Sequence, residues 1–163
     1  MRVAGIISES YVDGPGIRLV IFAQGCQRHC LHCQNPQSWD YNGGTEMEIS
    51  AIISKIEEDP LIDGVSFSGG ECFDQPEAFR DLAIAIKEKF GFKIWAWSGY
   101  LYEELLEDEK KFEMLKKIDY LIDGPFEIDK RTLKLKWRGS TNQRLIDVQK
   151  SLAENRVVEL ETV

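Results

Sequence analysis

This sequence predicts an α/β fold of repeated strand–helix units around a largely parallel sheet. Three observations carry that reading. Short runs of β-branched and aromatic residues alternate with longer stretches of helical period. The alternation recurs at a spacing that suits βα units. The length of 163 residues suits one domain spanning 1–163 and excludes a complete eight-fold βα barrel, which needs ~250 residues, while part of one would fit.

The elements follow in order. Ile17-Arg18-Leu19-Val20-Ile21-Phe22 reads as a strand ending at Gln24-Gly25. Ile49, Ile52, Ile53 and Ile56 fall at i, i+3, i+4, i+7 and predict a helix. Val65-Ser66-Phe67-Ser68 is a second strand, stopped by Gly69-Gly70. Phe79, Leu82, Ala83 and Ile86 repeat the helical period, with Pro76 near the first turn and Gly91 just past the end. Lys93-Ile94-Trp95-Ala96-Trp97 and Tyr120-Leu121-Ile122 are the third and fourth strands, separated by weaker helical pieces at 101–106 and 112–118. Leu133, Leu135 and Trp137 alternate with Lys134, Lys136 and Arg138, which predicts a one-sided strand with a basic face. A short helix is expected near 147–153.

Composition narrows the function. Hydrophobic residues at 43% and charged residues at 29% are ordinary for a globular chain and exclude a disordered or collagen-like one. A net charge of −8 repels a polyphosphate backbone and disfavours nucleic acid as a general partner. The first residues meet Glu9 before a signal-peptide core can form, and the apolar stretch at 17–23, interrupted by Arg18, is too short to span a bilayer. A cytoplasmic protein with no membrane partner is therefore expected, in which cysteines stay reduced.

Three of the four cysteines, Cys26, Cys30 and Cys33, form a C-x3-C-x2-C run. Such a loop can turn three sulfurs toward one inorganic centre. A structural zinc site needs a fourth ligand, which His29, His32 or Cys72 would supply. A redox dithiol would use Cys30 and Cys33 alone. A [4Fe–4S] cluster on three thiolates would keep one iron open to a substrate. In a parallel sheet, ligands sit beyond the carboxyl ends of the strands, which places the cysteine loop and Gly69-Gly70-Glu71 on one rim.

The cysteine run resembles that of the radical S-adenosylmethionine (radical SAM) enzymes. Asp13-Gly14-Pro15-Gly16-Ile17-Arg18, Gln24-Gly25-Cys26 and Asn35-Pro36 are similar to the activating enzymes of glycyl-radical enzymes. Trp97-Ser98-Gly99-Tyr100, Asp123-Gly124-Pro125-Phe126 and the segment from Arg138-Gly139-Ser140 to Asn142-Gln143-Arg144 resemble those acting on anaerobic ribonucleoside-triphosphate reductase. The chain departs from the family pattern at His32, where an aromatic residue or glycine is usual, and at Cys72, where proline is common.

The resemblance implies an incomplete βα barrel. It implies one [4Fe–4S] cluster on Cys26, Cys30 and Cys33, with S-adenosylmethionine (SAM) against His32, Cys33, Gln34, Gly69, Gly70, Glu71 and Ser98. Glu71 would take the ammonium group, and an imidazole at 32 can stack on adenine. No acid–base pair is required, so no side chain is assigned as catalytic. The implied partners are the large glycyl-radical subunit of the reductase and a low-potential electron donor. With Cys72 alone left over, a second cluster cannot be built. An activase for pyruvate formate-lyase is the alternative within the class, and a non-catalytic zinc-binding interaction module the alternative outside it.

Lesser expectations complete the reading. Asp13 and Arg18 structure the loop below the cluster, Cys72 is a buried apolar residue, and Asp123 faces the cavity with Ser98. Trp95 and Trp97 point to opposite sides, 103–109 is an exposed acidic helix face, and the basic stretch 130–144 lies in solvent or docks on an acidic partner.

Overall fold

A computed structural model describes residues 1–161. It is a mixed α/β structure with one seven-stranded sheet: β1 (Arg2–Ser10), β2 (Arg18–Ala23), β3 (Thr45–Glu46), β4 (Gly64–Ser68), β5 (Ile94–Trp97), β6 (Tyr120–Asp123) and β7 (Arg144–Asp147). The spatial order is β3-β1-β2-β4-β5-β6-β7. The central four strands, β2, β4, β5 and β6, run parallel. At the flanks, β1 pairs antiparallel with β2, β3 antiparallel with β1, and β7 antiparallel with β6.

The helices are α1 (Ile49–Glu57), α2 (Pro76–Phe90), α3 (Tyr102–Glu107), α4 (Glu109–Leu115) and α5 (Val148–Glu154). Helix α2 forms as its punctuation requires. Pro76 occupies the first turn, where its missing N–H costs nothing, and Gly91 caps the end at φ 69°. Its buried positions are Phe79, Leu82, Ala83 and Ile86, the four that the helical period selects. Helix α5 starts where the Asp147 carboxylate accepts the Lys150 N–H at 3.0 Å.

Alternation along each strand divides the sheet into two faces. Leu19, Ile21, Val65, Phe67, Ile94, Ala96 and Leu121 join the large core under the helices. Trp95, Ile122 and Leu145 form a second cluster on the opposite face, packed against Trp97, Tyr120 and Trp137. Residues two apart on a strand share a side, so Trp95 and Trp97 lie together, ring centroids 6.2 Å apart, not on opposite faces as expected. The strand expected through Leu133 and Trp137 does not form: Leu133 is 90% exposed, and Trp137 has φ 64°, which an extended strand cannot contain. The last strand is instead β7, held to β6 from Asp123↔Arg144 to Tyr120↔Asp147.

Arg18 forms the floor of the second face. It is 3% exposed, and donates to Ser66 Oγ at 2.7 Å and to the carbonyls of Val65, Lys93 and Pro15. Ser66 Oγ in turn donates to the Asp13 carbonyl at 2.6 Å. Loss of water lowers the guanidinium to about 10, so it stays charged at neutral pH while carbonyl dipoles replace its hydration. Asp13 and Arg18 thus do tie the 11–17 loop to the sheet. Among the described residues, no helix is long and apolar enough to cross a membrane.

Candidate active site

The carboxyl ends of β2, β4, β5 and β6 open into one cavity of about 650 Å³. Cys26, Cys30 and Cys33 line it, as do Gly69, Gly70 and Glu71, so the cysteine loop and the Gly-Gly-Glu turn do share a rim. Gln34 and Ser98 also line it. His32 does not. Its exposed side chain, on a residue with φ 59°, borders a separate cavity of about 270 Å³ with Gln34, Phe126, Ile128 and Arg131.

The cysteine loop is stitched to its neighbours by main-chain bonds. Gly25 N–H donates to the Ser38 carbonyl at 2.6 Å and Cys26 N–H to the Trp39 carbonyl at 3.1 Å. Ser38 Oγ accepts the Gly70 N–H at 2.8 Å, and Gly25 carbonyl accepts the Glu71 N–H at 2.8 Å. One buried serine therefore joins the entry of the cysteine loop to the glycine turn. Nothing in the sequence singles out Ser38 or Trp39, because their roles come from contacts made after the loop has closed.

Glu71 is 2% exposed. Its carboxylate accepts from Gly99 N–H at 2.7 Å, Ser98 Oγ at 2.8 Å and Phe73 N–H at 3.2 Å. Ser98 is thus engaged with Glu71, and the acid bridges the loops after β4 and β5. Burial pushes Glu71 up from 4.5 to about 7, against the pull of its three donors. The folded chain therefore binds this proton more tightly than the unfolded chain between pH 4.5 and about 7, so stability is fully present below that window and falls as pH rises through it. In thermal unfolding across that range, Glu71→Gln should remove this part of the decline; parallel pH profiles for both proteins would refute the assignment.

The thiols are free and half-buried at 26, 30 and 33. Burial raises Cys26, with the negative charge of Glu71 and of Cys30 acting in the same direction, while the Arg28 and His29 N–H groups pull it down. A bound metal reverses this balance, since a coordinating thiol is deprotonated outright. Among the described residues, no three His, Cys, Asp or Glu side chains converge on a single-ion position. Cys72 is 0% exposed, packs in the core under the helices and does not line the cavity. The chemistry of the donor set fits an iron–sulfur cluster: three half-buried thiols border one cavity, and cysteine thiolates are the ligands such clusters take.

The far wall comes from 124–143, and two widely separated motifs prove to be one unit. Arg144 donates to both Asp123 oxygens, at 3.0 and 2.5 Å. Gln143 Nε2 donates to the Gly124 carbonyl at 3.0 Å, and Asn142 Nδ2 to the Pro125 carbonyl at 2.8 Å. These are mirrored pairs, 123 with 144, 124 with 143 and 125 with 142. Asp123 is fully buried and does not reach the cavity as expected, because Ile122 occupies the cavity side and alternation turns residue 123 away. It accepts the Tyr102 N–H on α3 instead. The 103–109 acids are exposed, and three have partners: Glu103 pairs with Arg144, Glu104 with Arg28 and Asp108 with Lys111. In the 130–144 stretch, Trp137 and Arg138 line the cavity.

Residues 12–146 match the family described as the 4Fe-4S single cluster domain. The chain is 38% identical over 144 residues to the anaerobic ribonucleoside-triphosphate reductase-activating protein of Enterobacteria phage T4, covering 83% of this chain and 86% of that protein. The corresponding protein of Pasteurella multocida is 36% identical, with 81% and 88% covered. The chain belongs to this family of radical SAM activating proteins. The chain thus carries a 4Fe–4S cluster domain and is an activating enzyme. The pyruvate formate-lyase-activating enzyme of Clostridium pasteurianum is 40% identical, but over 65% of this chain and 48% of that enzyme.

Proposed function

We propose that the chain activates an anaerobic ribonucleoside-triphosphate reductase by generating a glycyl radical on its large subunit. The observation that carries this reading is the shared cavity of Cys26, Cys30, Cys33 and the Gly69-Gly70-Glu71 turn at the carboxyl ends of parallel strands. The two relatives matched over more than four-fifths of their length support the reductase over pyruvate formate-lyase as target.

In this proposal residues 1–163 are one domain, an incomplete βα barrel working in the cytoplasm. Cys26, Cys30 and Cys33 would hold a single [4Fe–4S] cluster. When bound, the cluster would pass one electron from a low-potential donor to SAM, whose S–C5′ bond breaks to methionine and a 5′-deoxyadenosyl radical. The residues of this chain bind, orient and exclude. Gly69 and Gly70, at φ 50° and 48°, bring main chain rather than side chains to the ligand. Glu71, tied to two loops, offers its remaining lone pairs to the ammonium group, a charge-assisted bond of the stronger kind. Ser98 fixes that carboxylate, and Cys33 and Gln34 border the ligand. His32 would serve the adenine only from the adjoining cavity.

The second reactant would be a glycine Cα–H of the partner, whose hydrogen atom would pass to the adenosyl carbon, giving 5′-deoxyadenosine and a stored glycyl radical. The lip of the cavity carries Val12, 76% exposed, and Leu133, 90% exposed, an apolar edge suited to a polypeptide loop. The test mixes reconstituted chain, SAM, reductant and the large reductase subunit without oxygen. A glycine-centred doublet by electron paramagnetic resonance is expected. Formation of 5′-deoxyadenosine with no such signal would move the target elsewhere.

A further inference from the structure

We infer that Asp74 is a positioning residue for the metal centre: through two tyrosine hydroxyls it clamps the 25–28 segment, which carries the first ligand cysteine. This rests on the cluster reading above. Asp74 ends the single 3-10 turn Cys72–Asp74 that Glu71 caps, and its N–H donates to the Glu71 carbonyl at 3.0 Å. Two carboxylates of one short turn grip the same loop after β5. Glu71 takes Ser98 Oγ and Gly99 N–H, and Asp74 takes the Tyr100 hydroxyl at 2.6 Å.

The other oxygen of Asp74 accepts the Tyr41 hydroxyl, also at 2.6 Å. Both lengths are those of charge-assisted bonds between a hydroxyl and a carboxylate, which are stronger than neutral ones. The rings then reach the cysteine segment. A Cβ built at Gly25 would lie 2.3 Å from Tyr41 Cδ1, so that ring lies against the main chain one residue before Cys26. The Tyr100 ring carries the Arg28 guanidinium, 4.6 Å from its centroid, two residues after Cys26. The segment is thus held before and after its cysteine, and the two holds meet at one carboxylate. Cys33 is fixed differently. Its N–H donates to the Cys30 carbonyl at 3.0 Å, and its Sγ accepts the Asn35 N–H at 3.4 Å. Neither bond passes through Asp74.

The first measurement uses the metal-free chain, alkylated with iodoacetamide without oxygen while mass spectrometry follows each cysteine separately. In Asp74→Ala, Cys26 should react about tenfold faster than in the wild type, the scale on which a lost bond to a charged group shifts a local opening. Cys33 and the buried Cys72 should keep their wild-type rates, which a chain loosened throughout would not. Tyr41→Phe/Tyr100→Phe keeps both rings and the Asp74 charge, removes only the hydroxyls, and should give the same pattern. Adding Asp74→Ala to that pair should quicken Cys26 no further, because the bonds are already gone. Should Asp74→Ala fold poorly, the tyrosine pair alone decides. An unchanged Cys26 rate, or a rise shared with Cys72, overturns the inference. On the reconstituted chain, iron release to a chelator should quicken about tenfold in the same variants. Release at the wild-type rate overturns the role at the centre and leaves the functional reading intact, whereas a wild-type chain that takes up no iron–sulfur centre overturns both.

Discussion

Cys26→Ala, Cys30→Ala and Cys33→Ala should each reduce SAM cleavage to background, and Cys72→Ala should not. The separation follows from where the sulfurs lie. Three half-buried thiols border the cavity, and the fourth is enclosed in the core under the helices. A cluster on three thiolates has no spare protein ligand, so removing any one leaves two anchors. Cys72 contributes packing only, and its burial pushes the thiol far up, away from the ionised form a ligand needs. Its loss should cost about 1 kcal/mol of stability, as for a small deletion in a packed core. Iron and sulfide analysis with 5′-deoxyadenosine assay tests the set. Cluster loss in Cys72→Ala would overturn the ligand assignment.

Gly70→Ala should be nearly as damaging, because its added methyl group would be driven into main chain. A Cβ built at position 70 would lie 2.2 Å from the Ala23 carbonyl oxygen, 2.9 Å from its carbon and 3.0 Å from the Gly25 carbonyl oxygen. All three are main-chain atoms of the segment entering the cysteine loop, so no side chain can rotate aside. The residue also sits at φ 48°, in the left-handed region that non-glycine residues enter at a cost. Overpacking and strain together predict about 3 kcal/mol of lost stability. The two loops would be pushed apart, breaking the Gly70–Ser38 and Glu71–Gly25 bonds. SAM affinity should fall at least about tenfold, each factor of ten being about 1.4 kcal/mol. Unfolding temperature and equilibrium binding measure the two effects; wild-type values in both would refute the packing argument.

The elements legible from sequence are those whose reasons are local. Helix α2 carries its period, its proline and its glycine within sixteen residues, and the four central strands are dense in β-branched and aromatic residues. The shared rim follows from strand direction alone. What the sequence hid depends on distant partners. Strand β1 is diluted by Gly5 and by the polar Ser8-Glu9 end, and it forms because β2 lies alongside. Strand β7 has only Leu145 and Ile146 to announce it, each buried by a different face of the sheet. The alternation at 133–137 mimics a strand, yet the segment runs over the cavity as a turn. The mirrored pairs that join 123–125 to 142–144 were visible as two motifs, but their reversed order becomes meaningful only once β6 and β7 are antiparallel.

All four tryptophans of the chain gather on one side of the sheet: Trp39, Trp97 and Trp137 border the cavity, and Trp95 packs against the last two, centroids 6.2 and 4.7 Å away. The chain's ultraviolet emission therefore originates almost entirely within reach of whatever the cavity holds. A coloured centre seated there would quench that light by energy transfer, giving the protein a built-in optical gauge of loading.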